Sequence, residues 1–176
     1  VVGSRVDNEG SAYVYTKSGT TWSEIQKLTS SDKAGSDWFG YSCAIYEDTI
    51  AVTSLLDNYA SVSDGGSLYI FTRSGTTWSE IQKLTTSDAA NNDWLGGSCS
   101  IYQDTLVVGK HGDSVPTSDE GSAYIFTRSG TTWTEQAKLT ISEGTVNNRF
   151  GNACSIYGDT VVVSSGIIDV TGVDEG

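Results

Sequence analysis

The chain has 176 residues, of which 37% are hydrophobic and 18% are charged, so it carries enough apolar material for one globular domain and is not a disordered tail. Its 22 acidic residues outnumber its 10 basic residues, and the net charge of −12 disfavours a nucleic-acid partner, because the phosphate backbone is also negative. No run of residues approaches the roughly 20 apolar positions of a membrane-spanning helix, and the chain starts without a signal-peptide pattern.

Two sequence blocks recur in register along the chain. The first block reads GSAYVYTKSGTTWSEIQKLT at 10–29 and returns, slightly changed, at 66–85 and 121–140. The second block begins WFGYSCAIYEDT at position 38 and returns from positions 94 and 149. Repeats of about 50 residues are typical of propellers and solenoids. The chain does not begin with methionine, and we expect it to be processed or to be a piece of a longer chain.

In chain order, each repeat predicts four short strands and no helix. In the second unit the strands are predicted at 41–46, 49–53, 67–73 and 77–85. An acidic turn at Glu47 and Asp48 joins the first two strands, a polar loop at 54–65 joins the next two, and Ser74 and Gly75 form a hairpin turn before the last strand. The order of the strands is therefore a simple antiparallel meander.

The pattern of polarity indicates how these small sheets stack. The second strand reads TIAVT, apolar at successive positions, so the sheet has to be covered on both faces. The last strand reads WSEIQKL, and its charged residues suit a solvent-facing edge. The fold class predicted is all-β, a β-propeller of four-stranded antiparallel blades.

About three blade equivalents are present, because both ends fall inside a repeat. Residues 1–36 supply strands 2–4 of an incomplete blade, 37–92 and 93–147 each supply a blade, and 148–176 supply strands 1–2 of another. Propellers need typically four to eight blades to close. The remaining blades are expected from the rest of a longer chain or from an oligomer in which further copies supply the missing strands.

The sequence resembles the FG-GAP repeat family, whose members include the seven-bladed propeller of integrin α chains, and it is most similar to the branch found in microbial surface and secreted proteins. The first half of the family name stands at Phe39 with Gly40, Leu95 with Gly96, and Phe150 with Gly151, whereas the second half is degenerate. The resemblance implies a seven-bladed ring, an extracellular or cell-surface location, and an adhesion scaffold that is often stabilised by calcium.

Calcium is the only cofactor that the resemblance suggests, and the integrin-type site is not expected here. Integrin blades bind calcium through a DxDxDGxxD loop, whereas the corresponding turns read YEDT, YQDT and YGDT. One or two carboxylates are too few for the six to eight oxygen ligands of Ca²⁺. Asp48, Asp104 and Asp159 in these turns are predicted to accept hydrogen bonds from backbone amides of the turn.

The loop between the second and third strands is the most variable and acidic part of each unit. Its carboxylates are weak candidates for metal ligands, and a solvated acidic surface is the favoured alternative. The candidates are Asp57, Asp64, Asp113, Asp119, Asp169 and Asp174. Variable loops on a rigid frame are common binding sites, so these loops are also the predicted ligand surface.

The remaining recurrent side chains favour structural roles. Cys43, Cys99 and Cys154 are predicted to be buried free thiols rather than disulfides or metal ligands. Trp22, Trp78 and Trp133 are predicted to pack between blades. Trp38 and Trp94 are candidates for stacking on a sugar, although an ordinary structural role is favoured. Asp37 and Asp93 are predicted to cap the bend into the first strand.

No catalytic residue is predicted. His111 is the only histidine and has no counterpart in the other units, so it offers no partner for a nucleophile. The favoured function is a non-enzymatic interaction scaffold that binds a protein or glycan. The alternatives are a structural subunit of a surface filament or coat, and the propeller segment of a larger enzyme whose catalytic residues lie elsewhere.

Overall fold

The computed structural model describes residues 1–4, 10–32, 34–113, 120–142 and 148–166, and these ranges contain strands and turns but no helix. The chain therefore has no helix in those ranges that would cross a bilayer. The strands are β1 (Val2–Ser4), β2 (Ser11–Ser18), β3 (Thr21–Leu28), β4 (Phe39–Tyr46), β5 (Thr49–Ser54), β6 (Ser67–Ser74), β7 (Thr77–Leu84), β8 (Leu95–Tyr102), β9 (Thr105–Lys110), β10 (Ser122–Ser129), β11 (Thr132–Leu139), β12 (Ala153–Tyr157) and β13 (Thr160–Ser164).

The strands form four antiparallel sheets in which neighbours follow the order of the chain. Sheet I contains β1–β3, sheet II β4–β7, sheet III β8–β11 and sheet IV β12–β13. The four strands predicted for the second unit are confirmed to within two residues at each end. Sheets II and III have the four-stranded meander of propeller blades, as predicted for the fold class.

The hydrophobic core lies between successive sheets rather than inside any one of them. One cluster joins sheets I and II, a second joins sheets II and III, and a third joins sheets III and IV. The strand β5 is buried along its whole length, because its two faces pack against the sheets on either side. The apolar run TIAVT thus becomes a strand that is covered on both faces, as the sequence predicted.

Glycine lets the backbones of neighbouring sheets touch at one end of each sheet. Gly66, just before β6, forms a parallel bridge with Leu95 at the start of β8, and Gly10 and Gly121 form the same bridge with Phe39 and Phe150. Gly66 has a φ of +74°, and a Cβ atom there would lie 2.2 Å from the carbonyl oxygen of Leu95. The glycine of the GSxY block is therefore needed for the approach of the next sheet.

A β-bulge recurs in the last strand of sheets I, II and III, and in β7 it directs polar side chains to both neighbouring sheets. In β7 the extra residue is Ile81, because Ile70 pairs with Gln82 whereas Phe71 pairs with Glu80. The two polar residues would share a face in a regular strand, but the bulge turns them in opposite directions. The last strand was predicted to present its charges to solvent, and this was incomplete, because these side chains join the sheets.

The links between sheets use both polar residues. Glu80 accepts hydrogen bonds from the backbone N–H and the hydroxyl of Ser31, at 2.9 and 2.7 Å, on the side of sheet I. Gln82 donates to the carbonyl oxygen of Trp133 and accepts from its N–H, both at 2.8 Å, on the side of sheet III. Gln26 makes the same pair of bonds with Trp78. Each side-chain amide thus acts as a clamp between outer strands.

We expect Gln82→Ala to lower the free energy of unfolding by about 1–2 kcal/mol, because it removes both bonds of the clamp and leaves two backbone groups of Trp133 without that partner. Urea denaturation followed by tryptophan fluorescence measures the change. Gln136→Ala is the control, since this exposed glutamine occupies the bulge position of β11 and is expected to change stability by less than about 0.5 kcal/mol. Equal effects of the two substitutions would contradict the role of the clamp.

Candidate functional site

The loops that were predicted to bind a ligand lie at the end of the sheets where each unit meets the next. The loop after β5, residues 55–66, contacts the segment that leads into β8. Ser63 N–H donates to the side chain of Asn91, and Ser63 O accepts from Asn92 N–H, both at 2.9 Å. Leu95 N–H donates to Gly65 O at 2.9 Å. The loop is therefore held by backbone hydrogen bonds along its return path.

The loop 55–66 has a buried base and an exposed tip. Leu55 and Asp57 are buried, whereas Ala60, Ser61 and Ser63 are exposed. Within the tip, Tyr59 and Val62 exchange two backbone hydrogen bonds at 3.1 and 2.9 Å, which closes a small turn. The tip therefore has a defined backbone, and its exposed side chains are free to vary.

A charged cluster lies beneath this loop and joins sheets I and II. We call it the sheet II cluster, and it consists of Asp32, Asp37, Asp57, Tyr69 and Lys83. The Nζ atom of Lys83 lies 2.6 Å from a carboxylate oxygen of Asp32 and 2.6 Å from one of Asp57. The hydroxyl of Tyr69 donates to Asp32 at 2.7 Å, and Lys83 Nζ lies 5.2 Å from the centre of the Tyr69 ring.

The same arrangement recurs between sheets II and III. The sheet III cluster consists of Asp88, Asp93, Asp113, Tyr124, Lys138 and Lys110. Lys138 pairs with Asp88 at 2.6 Å and Asp113 at 2.7 Å, as Lys83 does with its two partners. Lys110 is an additional cation, since Ser54 stands at the equivalent end of β5.

Lys110 is the most enclosed charge among the described residues. Its side chain has 0% exposure, and its Nζ atom lies 2.6 Å from Asp93, 3.1 Å from Asp88 and 3.5 Å from Asp113. Three carboxylates and two ammonium groups therefore share the sheet III cluster, whereas three carboxylates and one ammonium group share the sheet II cluster. The two clusters have three equivalent aspartates each, but the sheet III cluster has one more positive charge, that of Lys110.

The electrostatics of the clusters follow from burial and from these contacts. Burial opposes the charge of Asp32, but hydrogen bonds from Lys83 and Tyr69 outweigh it and lower the pKa of Asp32. Burial likewise opposes the charge of Lys83, yet its hydrogen bonds to Asp32 and Asp57 raise the pKa of Lys83. At neutral pH these two groups are therefore ionised.

Asp37 differs from the other carboxylates. Burial raises the pKa of Asp37, and the hydrogen bond from Ala34 N–H offsets the shift only in part. Nearby Asp57 and Asp32 raise the pKa further. Burial also raises the pKa of Asp93, although Lys110 works against this shift. Burial is the largest cause of the raised pKa of both Asp37 and Asp93.

The backbone is strained at the residues that hold Asp37 and Asp93 in place. Ser36 and Trp38, on either side of Asp37, have φ values of +76° and +58°, and Asn92 and Trp94 have φ values of +63° and +54°. Positive φ is rare for residues as large as tryptophan. Asp37 accepts from Ala34 N–H at 2.9 Å and Asp93 from Ala90 N–H at 2.6 Å, so both carboxylates cap this bend, as predicted.

Three of the six candidate metal ligands lie among the residues that the structure describes. Asp57 and Asp113 are buried and ion-paired with lysine, and Asp64 is half-buried in the loop 55–66. Asp119, Asp169 and Asp174 lie outside the described residues. Within the described part of the chain, no three His, Cys, Asp or Glu side chains converge as a ready-made metal centre. Calcium binding remains a prediction.

The lysines of both clusters and their partners Asp32 and Asp88 were not predicted from the sequence. A signal was present, because the aspartate after Ser31 or Ser87, the tyrosine of the GSxY block and the lysine before the final leucine recur in register. Recurrence of a charged residue inside a strand with apolar neighbours indicates a buried ion pair. Lys110 could also have been noticed, because serine stands at the equivalent positions 54 and 165 of the other units.

The turns at the opposite end of the sheets hold a different ion pair. Asp48 Oδ1 accepts a hydrogen bond from Arg73 Nε at 2.7 Å, and Asp104 Oδ1 accepts one from Arg128 Nε at 2.8 Å. These carboxylates were predicted to accept from turn amides, but the side-chain partner in the structure is the arginine of the third strand. Arg128 also donates to the hydroxyl of Thr49 in sheet II at 3.0 Å, which links the two sheets.

The three cysteines are free thiols, as predicted, and they are partly buried on adjacent first strands. Burial raises the pKa of Cys43 and Cys154, and it raises the pKa of Cys99 to about 12. Each of the two later thiols contacts a serine of the preceding sheet, Cys99 with Ser42 at 3.6 Å and Cys154 with Ser98 at 3.2 Å. A raised pKa makes a thiol a poorer nucleophile at neutral pH.

The aromatic residues fall into two groups. Trp78 and Trp133 are buried between sheets with exposures of 4% and 1%, as predicted, but Trp22 of sheet I is 64% exposed. No described sheet covers that face of sheet I. Trp38 stacks on Tyr41 with centroids 6.1 Å apart. The ring centroids of Trp94 and His111 lie 5.6 Å apart, and His111 is half-buried.

Comparison with known proteins adds one result. A family model described as FG-GAP repeat matches residues 22–71, 78–126 and 133–176, which together make up most of the chain. Each match begins at the tryptophan of the last strand of a unit. The first two matches end in the third strand of the next unit, and the third match ends at the end of the chain. No curated protein matches the chain.

Proposed function

Because the chain belongs to the FG-GAP repeat family, we propose that it is a non-enzymatic interaction scaffold that presents its variable acidic loops to a protein or glycan ligand outside the cell. FG-GAP repeats are typical of extracellular proteins, which supports this location. The observation that carries the proposal is the loop 55–66, whose tip is exposed on a base that is held by buried contacts. Binding sites are commonly loops that a rigid frame positions.

The anchoring of the loop explains how its sequence can vary without loss of the fold. Asp57 at its base is ion-paired with Lys83, and Gly66 at its end bridges to the next sheet. The exposed residues of the loop all lie between these two anchors. The net charge of −12 favours ligands with a basic surface, and it predicts weaker binding at high ionic strength.

The chemistry of the described side chains supports a role without catalysis. Each carboxylate of the two clusters has at least one contact with a lysine or a backbone amide. The pKa of every cysteine is raised, which is opposite to the shift that activates a thiol nucleophile. These groups therefore stabilise the frame.

Further blades complete this proposed scaffold, supplied by a longer chain or by other copies. Trp22 is exposed although its counterparts Trp78 and Trp133 are buried by the preceding sheet. Glu24 stands where Glu80 accepts the hydrogen bonds of Ser31. The outer face of sheet I thus carries the same groups that sheets II and III use to join a preceding unit.

A panel of immobilised glycans and secreted proteins tests the proposed function. We expect the wild-type chain to bind one or more members of the panel. The variant Ser61→Arg/Ser63→Arg should bind at least tenfold more weakly, because the two new arginine side chains would stand on the exposed tip of the loop. The control is Thr76→Arg/Ser79→Arg, which adds the same charge at exposed positions of β7 and its hairpin. It should bind like the wild type.

The proposal fails if the wild-type chain binds nothing on the panel, or if the loop variant and the control bind equally. Circular dichroism and thermal melting of all three proteins show whether the frame is intact. A loss of binding that accompanies a loss of structure would be assigned to unfolding, and the single variant Ser61→Arg then repeats the test with a smaller change.

A further inference from the structure

The two charged clusters differ at one position, and this difference points to a site for a cation. β5 and β9 occupy the same place in sheets II and III, and each ends beside three aspartates. β9 ends in Lys110, whose ammonium group contacts all three carboxylates of the sheet III cluster. β5 ends in Ser54, whose hydroxyl donates to the backbone carbonyl of Asp37 at 2.9 Å. The ammonium group thus has no counterpart from Ser54.

A buried oxygen atom marks the corresponding place in the sheet II cluster. Asp37 is 4% exposed, and its Oδ1 atom has no hydrogen-bond partner among the residues that the structure describes, while its Oδ2 atom accepts from Ala34 N–H. The equivalent carboxylate of Asp93 pairs with Lys110 at 2.6 Å. A buried carboxylate oxygen without a partner is costly, so it favours any positive group that reaches it.

We propose that a small inorganic cation binds the sheet II cluster among Asp32, Asp37 and Asp57, in the place that the ammonium group of Lys110 occupies in the sheet III cluster. Lys83 balances one of the three carboxylates, which leaves an excess of negative charge for the cation to neutralise. The site joins the segment that follows β3, the bend before β4 and the loop after β5, so an occupied site holds sheets I and II together.

The chemistry of the ligands agrees with a hard cation. Carboxylate oxygens suit Na⁺, Ca²⁺ and Mg²⁺, and a charge of two best matches the excess. The carboxylates do not converge as a ready-made metal centre among the described residues, so the bound ion keeps part of its water shell. Asp32 is half-exposed, so its carboxylate is open to solvent. This inference is independent of the proposed ligand of the loops.

Thermal melting of the whole chain with Ca²⁺ as the probe tests the site. We expect CaCl₂ at about ten times its dissociation constant to raise the Tm of the wild type by roughly 3–6 °C, relative to EGTA with choline chloride at equal ionic strength. A parallel series in NaCl shows whether a monovalent ion acts as well. If no salt raises the Tm beyond choline chloride, the proposal is wrong.

Ser54→Lys is the decisive variant, because it supplies an ammonium group at the position that Lys110 occupies. Its Tm in EGTA should exceed that of the wild type, and its response to calcium should be lost. Ser165→Lys is the matched control, because the Ser165 hydroxyl donates to the backbone carbonyl of Asn148 as the Ser54 hydroxyl donates to that of Asp37, but the side chain of Asn148 carries no charge. It should keep the full response. Equal responses of the two variants would overturn the site.

Two further variants test the site independently, in case Ser54→Lys does not fold. Asp37→Asn keeps an oxygen for Ala34 N–H but removes the charge, and its calcium response should fall to that of Ser54→Lys. Lys110→Ser should create a second site, and calorimetric titration should then find one more bound ion than in the wild type. An unchanged number of ions in Lys110→Ser, or an undiminished response in Asp37→Asn, would count against the proposal.

Discussion

Replacing Lys110 by serine is expected to lower the free energy of unfolding by about 3–5 kcal/mol in EDTA at pH 7. The reason is that Lys110 is fully buried and pairs with Asp93 and Asp113, which are themselves only 3% and 6% exposed. Removing the ammonium group leaves these carboxylates with too little positive charge. Its third contact, Asp88, is 44% exposed and contributes less, since water screens it.

Chemical denaturation in EDTA measures this loss, and Lys17→Ser is the matched control. Lys17 lies in β2 and is exposed, so the same substitution there should change the free energy of unfolding by less than about 0.5 kcal/mol. A change of similar size at both positions would contradict the assignment of Lys110 as the central cation of its cluster. The addition of calcium should return part of the loss, if the new site accepts an ion.

The second large effect is expected for Gly66→Ala, which should lower the free energy of unfolding by about 3 kcal/mol or more. Two costs add up at this position. The φ of +74° disfavours a side chain by about 1–2 kcal/mol. The new Cβ atom would also lie 2.2 Å from the carbonyl oxygen and 2.6 Å from the nitrogen of Leu95. These are backbone atoms of the next sheet, so sheets II and III would have to move apart.

Gly75→Ala separates the two costs. Gly75 has a similar φ of +62°, but no atom lies within 4 Å of a Cβ atom built there. Only the backbone term remains, and we expect a loss of about 1–2 kcal/mol. Thermal melting of both variants should show a Tm that is several degrees lower for Gly66→Ala than for Gly75→Ala. If both variants lose the same stability, the close approach of the sheets does not limit the fold.

The strands and their order could be predicted because they depend on local signals. Alternation in the GSxY block, the continuous apolar run of β5 and the Ser74 and Gly75 turn are each contained in a few neighbouring residues. Their recurrence in register then predicts stacked sheets, since no single sheet can bury both faces alone.

The contacts between sheets could not be predicted in the same way. Glu80 and Gln82 face opposite neighbours because Ile81 forms a bulge, and the pattern of the strand does not mark the bulged residue. Asp57 meets Lys83 only after β6 and β7 have folded back along β5. The sequence therefore indicated Asp37 and Asp57 of the sheet II cluster but neither Asp32 nor Lys83, which complete it. The strained φ values beside Asp37 likewise arise from packing, because serine and tryptophan have no local preference for them.

The bulge in the last strand has a consequence for the origin of such chains. Since in β7 it aims one polar side chain forward and one backward, the unit that forms sheet II carries both halves of the joint. Unequal recombination that duplicates or deletes a whole unit therefore recreates a compatible seam at the new boundary, and the number of units can change without any compensating mutation. Lineages that differ in length by whole units are what this architecture would leave behind.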